Sequence, residues 1–192
     1  AEHLPIQSKL GRQYNKLSNR WNEDKFDASM AKYYQLIYGI DIAVGMILDE
    51  LEKQEIADNT IVIYTTDNGY STGAHGFGGK VLPYEEASRG PLLIYAPGTK
   101  SEGKKWRSKA LVGNIDMAPT ILDAAGLEIP KHMDGKSLLK IMNKENATVK
   151  DHQAIIQVWG ENQTHSLSIV SDSYKYLYWF YGEGMEPKEE LY

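Results

Sequence analysis

Residues 60–66, Thr-Ile-Val-Ile-Tyr-Thr-Thr, are β-branched or apolar on both alternating faces. Such a strand must be covered on both sides, so it is expected at the centre of a helix-covered parallel sheet. It runs straight into Asp67-Asn-Gly-Tyr-Ser-Thr-Gly-Ala-His-Gly-Phe-Gly-Gly-Lys80, a polar loop with five glycines. In open α/β sheets, ligands bind beyond the carboxyl ends of the strands. Asp67 offers a carboxylate there and Asn68 a carbonyl oxygen. Both are hard donors suited to Ca²⁺ or Mg²⁺. Two donors do not fill a calcium shell of about 6–8 oxygens, so others must come from elsewhere. On local rules alone Asp-Asn-Gly is also a plain turn, His75 an exposed loop histidine and Lys80 a solvated lysine.

The elements around this loop follow from periodicity. Tyr34, Ile37, Tyr38, Val44, Leu48 and Leu51 recur at helical spacing, which predicts a helix from a cap at Asp27 to about Glu55. Asp41 falls on the same stripe and reads as a buried structural acid. Pro91–Ala96 reads as a second buried strand and Ala110–Val112 as a short one. Asp116 reads as the cap of the helix MAPTILDAA, which Gly126 closes. Ser137–Asn143 reads as a further short helix, followed by a polar linker near 143–152. Ala154–Trp159, His165–Ser171 and Tyr174–Tyr181 then read as successive strands, with Asp172-Ser173 as a hairpin turn. The fold class expected is α/β, with residues 1–150 in an α/β core and 151–192 in a small antiparallel subdomain.

Bulk properties narrow the function classes. The 192 residues suffice for one sizeable domain, or one large and one small. A net charge of −5 without a long basic run argues against a nucleic-acid partner. With no cysteine there are no disulfides or thiolate metal sites. No apolar run reaches the roughly 18 residues of a transmembrane segment. The opening Ala1–Pro5 reads as mid-protein sequence and Glu189–Tyr192 stops abruptly, the expectation being a piece of something longer.

The stretch TTDNGYSTGAHGFGGKVLPYEEASRGPLLIYAPG resembles the C-terminal half of the sulfatase core, in the alkaline phosphatase superfamily. The family order is (S/T)-D-(N/H)-G, a loop ending G-K, Y-E-E/G, R-x-P-L-I and P-G. It corresponds here to Thr66–Gly69, Gly79-Lys80, Tyr84–Glu86, Arg89–Ile94 and Pro97-Gly98. The helix before the strand, the segment Asn114–Leu122, Asp134–Leu138, Tyr174–Tyr176 and Glu190–Tyr192 match in the same order. Glu2-His-Leu-Pro5 resembles a P-H-x-P segment whose histidine enters family active sites.

The resemblance implies the C-terminal part of an alkaline-phosphatase-like three-layer sandwich followed by a small antiparallel subdomain. It implies a sulfatase that hydrolyses sulfate esters, with a sulfated small molecule or glycan as partner. Asp67 and Asn68 match metal ligands for Ca²⁺, with Mg²⁺ as the alternative. Lys80 matches a lysine on the sulfate and bridging oxygen, and His3 a catalytic histidine. His75 matches a G-x-H-G position facing substrate. Arg89 is expected to pair with a carboxylate, and Trp159, Tyr178 and Trp179 to pack across strands, with a sugar-binding rim as the alternative.

The formylglycine nucleophile of the family comes from a C/S-x-P-S-R motif that these residues lack, as they lack the family's D-D pair and K-x-H segment. The expectation is therefore that the nucleophile lies in a missing N-terminal portion of the same protein, and that this chain alone is inactive. The family is commonly exported, so a periplasmic or secreted location is expected. Two alternatives stand beside this reading. One is a phosphonate or phosphodiester hydrolase of the same superfamily, whose members often carry D-H-G where Asn68 stands. The other is a non-catalytic half that binds a partner.

Overall fold

The computed structural model describes residues 23–74, 77–80, 82–100, 103, 107–144, 154–158, 165–180 and 186–192, with the backbone alone for 154–158. His3, His75, Trp159 and most of the expected 143–152 linker lie outside the described residues.

The first helix among the described residues, α1, runs from Glu23 to Lys53. It begins ahead of the expected Asp27 cap, so Asp27 lies inside it. Glu23, Asp24 and Asp27 gather near its N-terminus, where the helix dipole favours negative charge. The chain turns out of it at Glu55, which takes a left-handed conformation (φ 57°), with Ile56 N–H donating to the Leu51 carbonyl at 3.1 Å. That is a Schellman-like closure on a non-glycine residue.

Among the described residues, little of α1 is sheltered. Val44, Leu48 and Leu51 are half-buried, and the half-buried Tyr33 stacks its ring on Tyr70 at 6.3 Å. Tyr34, Ile37, Tyr38 and Ile47 are exposed. Asp41, expected from the stripe to be a buried acid, is exposed too, with nothing among the described residues covering it. Helical periodicity identifies an apolar face; it does not say what covers that face.

A 3₁₀ turn, Ala57–Asn59, leads into strand β1, Val62–Thr65. The link that follows folds on itself as β2, Ser71–Thr72, β3, Gly78–Gly79, and a one-turn helix α2, Glu85–Ser88. Strand β4, Leu92–Tyr95, then returns alongside β1. The pair is antiparallel, with Val62 opposite Tyr95 and Thr65 opposite Leu92. This corrects the expectation of a parallel neighbour among the described residues. Apolar residues on both faces report cover, not strand direction.

Residues 110–112 form no strand. A 3₁₀ turn, Asn114–Asp116, opens α3, Met117–Ala124, and α4 spans Leu139–Asn143. Asp116 precedes α3 but does not cap it with its side chain. It is fully buried, and its carboxylate accepts from Gly113 N–H at 2.8 Å and Lys136 N–H at 2.8 Å. It therefore joins two loops across the end of the helix.

The C-terminal sheet is antiparallel in the order β5, β6, β7, β8. Its strands are Ala154–Val158, Ser166–Val170, Lys175–Trp179 and Lys188–Leu191. Three were expected; β8 is too charged to read as a strand from its residues. On β6 the usual pattern is inverted, with Ser166 and Ser168 buried and Leu167 and Ile169 exposed. The register explains it: Ser166 faces Trp179 and Ser168 faces Leu177. The small serines leave room for the buried Trp179, while Tyr178 lies on the opposite face.

Among the described residues an apolar cluster joins this sheet to the glycine-rich segment: Phe77 and Leu82 bury against Leu177 and Trp179, with Tyr84 against them. Phe77 and Tyr84 stack at 5.6 Å. The Tyr84 hydroxyl donates to Glu190 Oε2 at 3.3 Å, and the Tyr192 hydroxyl to the same oxygen at 2.7 Å.

Candidate active site

The site is assembled at the carboxyl end of β1. The Thr66 hydroxyl lies 3.2 Å from Asp67 Oδ1 and 3.1 Å from the Asn68 carbonyl, which tightens the turn out of the strand. Asn68 Nδ2 donates to the Gly69 carbonyl at 2.6 Å. That bond sets the amide's orientation: its donor side faces its own backbone and Oδ1 is left as an outward acceptor. Asn114, on a separate segment, donates Nδ2 to the carbonyls of Thr66 at 3.0 Å and Asp67 at 3.3 Å.

Gly69 is where the turn meets α2. Its N–H donates to the Ala87 carbonyl at 2.9 Å. A Cβ there would lie 2.2 Å from the Glu86 carbonyl oxygen and 2.5 Å from that of Arg89. Only glycine allows two backbones to approach so closely.

Lys80 returns to the same place through the small hairpin, where Ser71 pairs with Gly79 and Thr72 with Gly78. The buried Phe77 anchors one side of the hairpin. Gly79 takes a left-handed turn (φ 87°) immediately before the lysine. Lys80 Nζ then donates to Asn68 Oδ1 at 3.2 Å and lies 3.8 Å from Asp67 Oδ2. The Asp67 and Lys80 side chains are 77% and 53% exposed, so their ion pair contributes at most about 1 kcal/mol. Its interest is positional: two oxygens converge on one point, and a cationic group occupies it.

Three of the five candidate residues, Asp67, Asn68 and Lys80, are thus brought together; His3 and His75 lie outside the described residues. The donor set fits a hard divalent cation, since a carboxylate and an outward amide oxygen share one focus. Among the described residues no group of three or more His, Cys, Asp or Glu completes a shell. Arg89 pairs with Glu85 at 3.1 Å, as expected. Asn114 was legible in the sequence only as part of a matching segment. Its distance along the chain hid its hold on the turn.

A sulfatase family model matches residues 4–127, and a model of the C-terminal region of N-sulphoglucosamine sulphohydrolase matches residues 73–191. An N-acetylglucosamine-6-O-sulfatase of Bacteroides thetaiotaomicron is 39% identical over 127 residues, 66% of this chain and 22% of that protein. An arylsulfatase of Clostridium perfringens is 33% identical over 182 residues, 94% of this chain and 37% of that protein. A protein solved with its substrate D-glucosamine-2-N,6-O-disulfate superposes with a TM-score of 0.78 at 32% identity, covering 88% of this chain and 34% of that one. The chain therefore spans between about a fifth and two fifths of the length of these relatives. The shared fold is α/β and alkaline-phosphatase-like.

Proposed function

Since the chain belongs to the sulfatase family, we propose that it forms part of an enzyme hydrolysing sulfate esters of a sulfated sugar. The observation that carries this reading is the convergence of Lys80 Nζ on Asn68 Oδ1 at 3.2 Å and Asp67 Oδ2 at 3.8 Å. The sugar is supported by the relatives, one a 6-O-sulfatase of N-acetylglucosamine and one solved with a disulfated glucosamine.

Asp67 and Asn68 would hold Ca²⁺, with Mg²⁺ as the alternative, and the cation when bound supplies charge stabilisation to the sulfate oxygens. Lys80 balances the negative charge that builds on the departing ester oxygen, a contribution of about 3 kcal/mol in a dry site. His3 would donate the proton to that oxygen and His75 would contact substrate; both rest on motif resemblance. The turn's own bonds, from Thr66, Asn114 and Gly69, keep the two oxygens in place without reorganisation. The nucleophile, a formylglycine, would come from polypeptide outside these residues, which contain no C/S-x-P-S-R. That polypeptide would also cover the exposed face of α1. Without it the chain would be inactive. A periplasmic or extracellular location belongs to the same proposal. Asn68, where a histidine often stands in phosphonate hydrolases of the superfamily, favours sulfate over phosphonate.

The test is aryl-sulfate hydrolysis by the complete protein, with calcium titrated in parallel. Lys80→Ala should lower kcat about 10²–10³-fold while leaving the thermal midpoint unchanged. Asp67→Ala should weaken the calcium response. Normal turnover in the lysine variant would remove Lys80 from the reaction, and an identical calcium curve in the aspartate variant would remove the metal role.

A further inference from the structure

We propose that Lys175 is a positioning residue for the Asp67–Asn68 turn, acting from β7 through the one-turn helix α2. This role rests on the sulfatase reading of the site. The Lys175 ammonium donates to Ser88 Oγ at 2.6 Å and lies 3.5 Å from Glu85 Oε2. Those residues are the two ends of α2, which spans Glu85–Ser88. A single helical turn is not stable by itself, and Tyr84, its N-cap, makes no side-chain capping bond. A cation with three donors can hold both ends at once.

The other side of α2 is in direct backbone contact with the turn. Ala87 accepts the Gly69 N–H at 2.9 Å, and the carbonyls of Glu86 and Arg89 leave no room for a Cβ on Gly69. Gly69 is the residue after Asn68, so a shift of α2 is passed to the turn without slack. Lys175 itself is rigidly based. Its strand also carries the buried Leu177 and Trp179, and its own N–H and carbonyl both pair with Tyr192, each at 3.0 Å.

A lysine is an expensive way to fill this place. Its side chain is only 11% exposed, and burial lowers its pKa, with Glu85 partly opposing. A methionine would pack the same stem without desolvating a charge. What the methionine lacks is the pair of polar contacts that tie β7 to α2.

The experiment is amide hydrogen exchange on the complete protein, comparing wild type with Lys175→Met, Lys175→Arg and Ser88→Ala. In Lys175→Met the Gly69 amide should exchange about tenfold faster, equivalent to about 1.4 kcal/mol of lost local protection. The amides of Ile63 and Ile94, paired in β1 and β4, should keep their rates. Arginine should restore most of the protection. Ser88→Ala, which removes an acceptor without touching β7, should reproduce the selective rise. An unchanged Gly69 rate in both Lys175→Met and Ser88→Ala, or a rise shared equally by Ile63 and Ile94, overturns the proposal. Calcium titration of the same samples separates the two readings. If wild type does not bind calcium, the metal assignment falls, and the Gly69 rate still decides the positioning role.

Discussion

Replacing Gly69 by alanine tests the closest backbone contact in the site. The added Cβ would sit 2.2 Å from the Glu86 carbonyl oxygen and 2.5 Å from that of Arg89. An ordinary carbon–oxygen contact is about 3.3–3.6 Å, so the overlap is about an ångström against each. Both atoms are backbone, at α2 and its C-cap, and no side-chain rotation can relieve them. Overpacking of this kind costs about 1–3 kcal/mol. If the turn retreats, it also loses the Gly69–Ala87 hydrogen bond, worth about 1 kcal/mol. A total of about 2–4 kcal/mol corresponds to a fall of about 5–15 °C in the melting temperature of a chain this size. Thermal unfolding followed by circular dichroism measures it. Gly39→Ala is the control: it lies within α1 with nothing within 4 Å of an added Cβ, and should raise stability by up to about 1 kcal/mol. A Gly69→Ala protein that melts within a degree of wild type would refute the steric argument.

Two further predictions concern the packing behind the site. Asp116→Ala leaves the Gly113 and Lys136 amides, now bonded at 2.8 Å each, without their acceptor. It should cost about 3 kcal/mol in urea unfolding, and an unchanged midpoint would count against the bridging role. Tyr192 is 60% exposed, but its hydroxyl end is partly desolvated and bonded to Glu190, which together raise its pKa above the ordinary tyrosine value. The folded state therefore holds that proton longer than the unfolded chain does, so stability declines as pH rises above about 10. Tyr192→Phe should cost about 1 kcal/mol at pH 7 and show a shallower decline above about pH 10. A decline as steep as in wild type would show that Tyr192 does not drive it. Some slope should persist, because Tyr176 is raised as well, by partial desolvation and by Glu189.

Much of the local structure was readable because it depends on neighbours in sequence. The long helix, the strands around residues 62–65 and 92–95, and the 171–174 turn follow from periodicity and turn chemistry. The departures share one cause. Asp41, the direction of β4, the inverted pattern of β6 and the charged strand β8 all depend on residues distant in the chain. The Asp116 case is the same: a cap by sequence position, it faces two loops instead.

For the site, the sequence by itself determined which groups were available: a carboxylate, an amide oxygen and a lysine around a glycine-rich segment after a strand. Their types fix charge, donor hardness and backbone freedom, and those are properties of single residues. Only the tertiary structure decided that Lys80 returns onto Asn68, that Asn114 clamps the turn, and that α2 and Lys175 stand behind Gly69. Each of those is a distance between segments separated by 12 to 87 residues, and such distances are set by how the hairpin, the aromatic cluster and the C-terminal sheet pack.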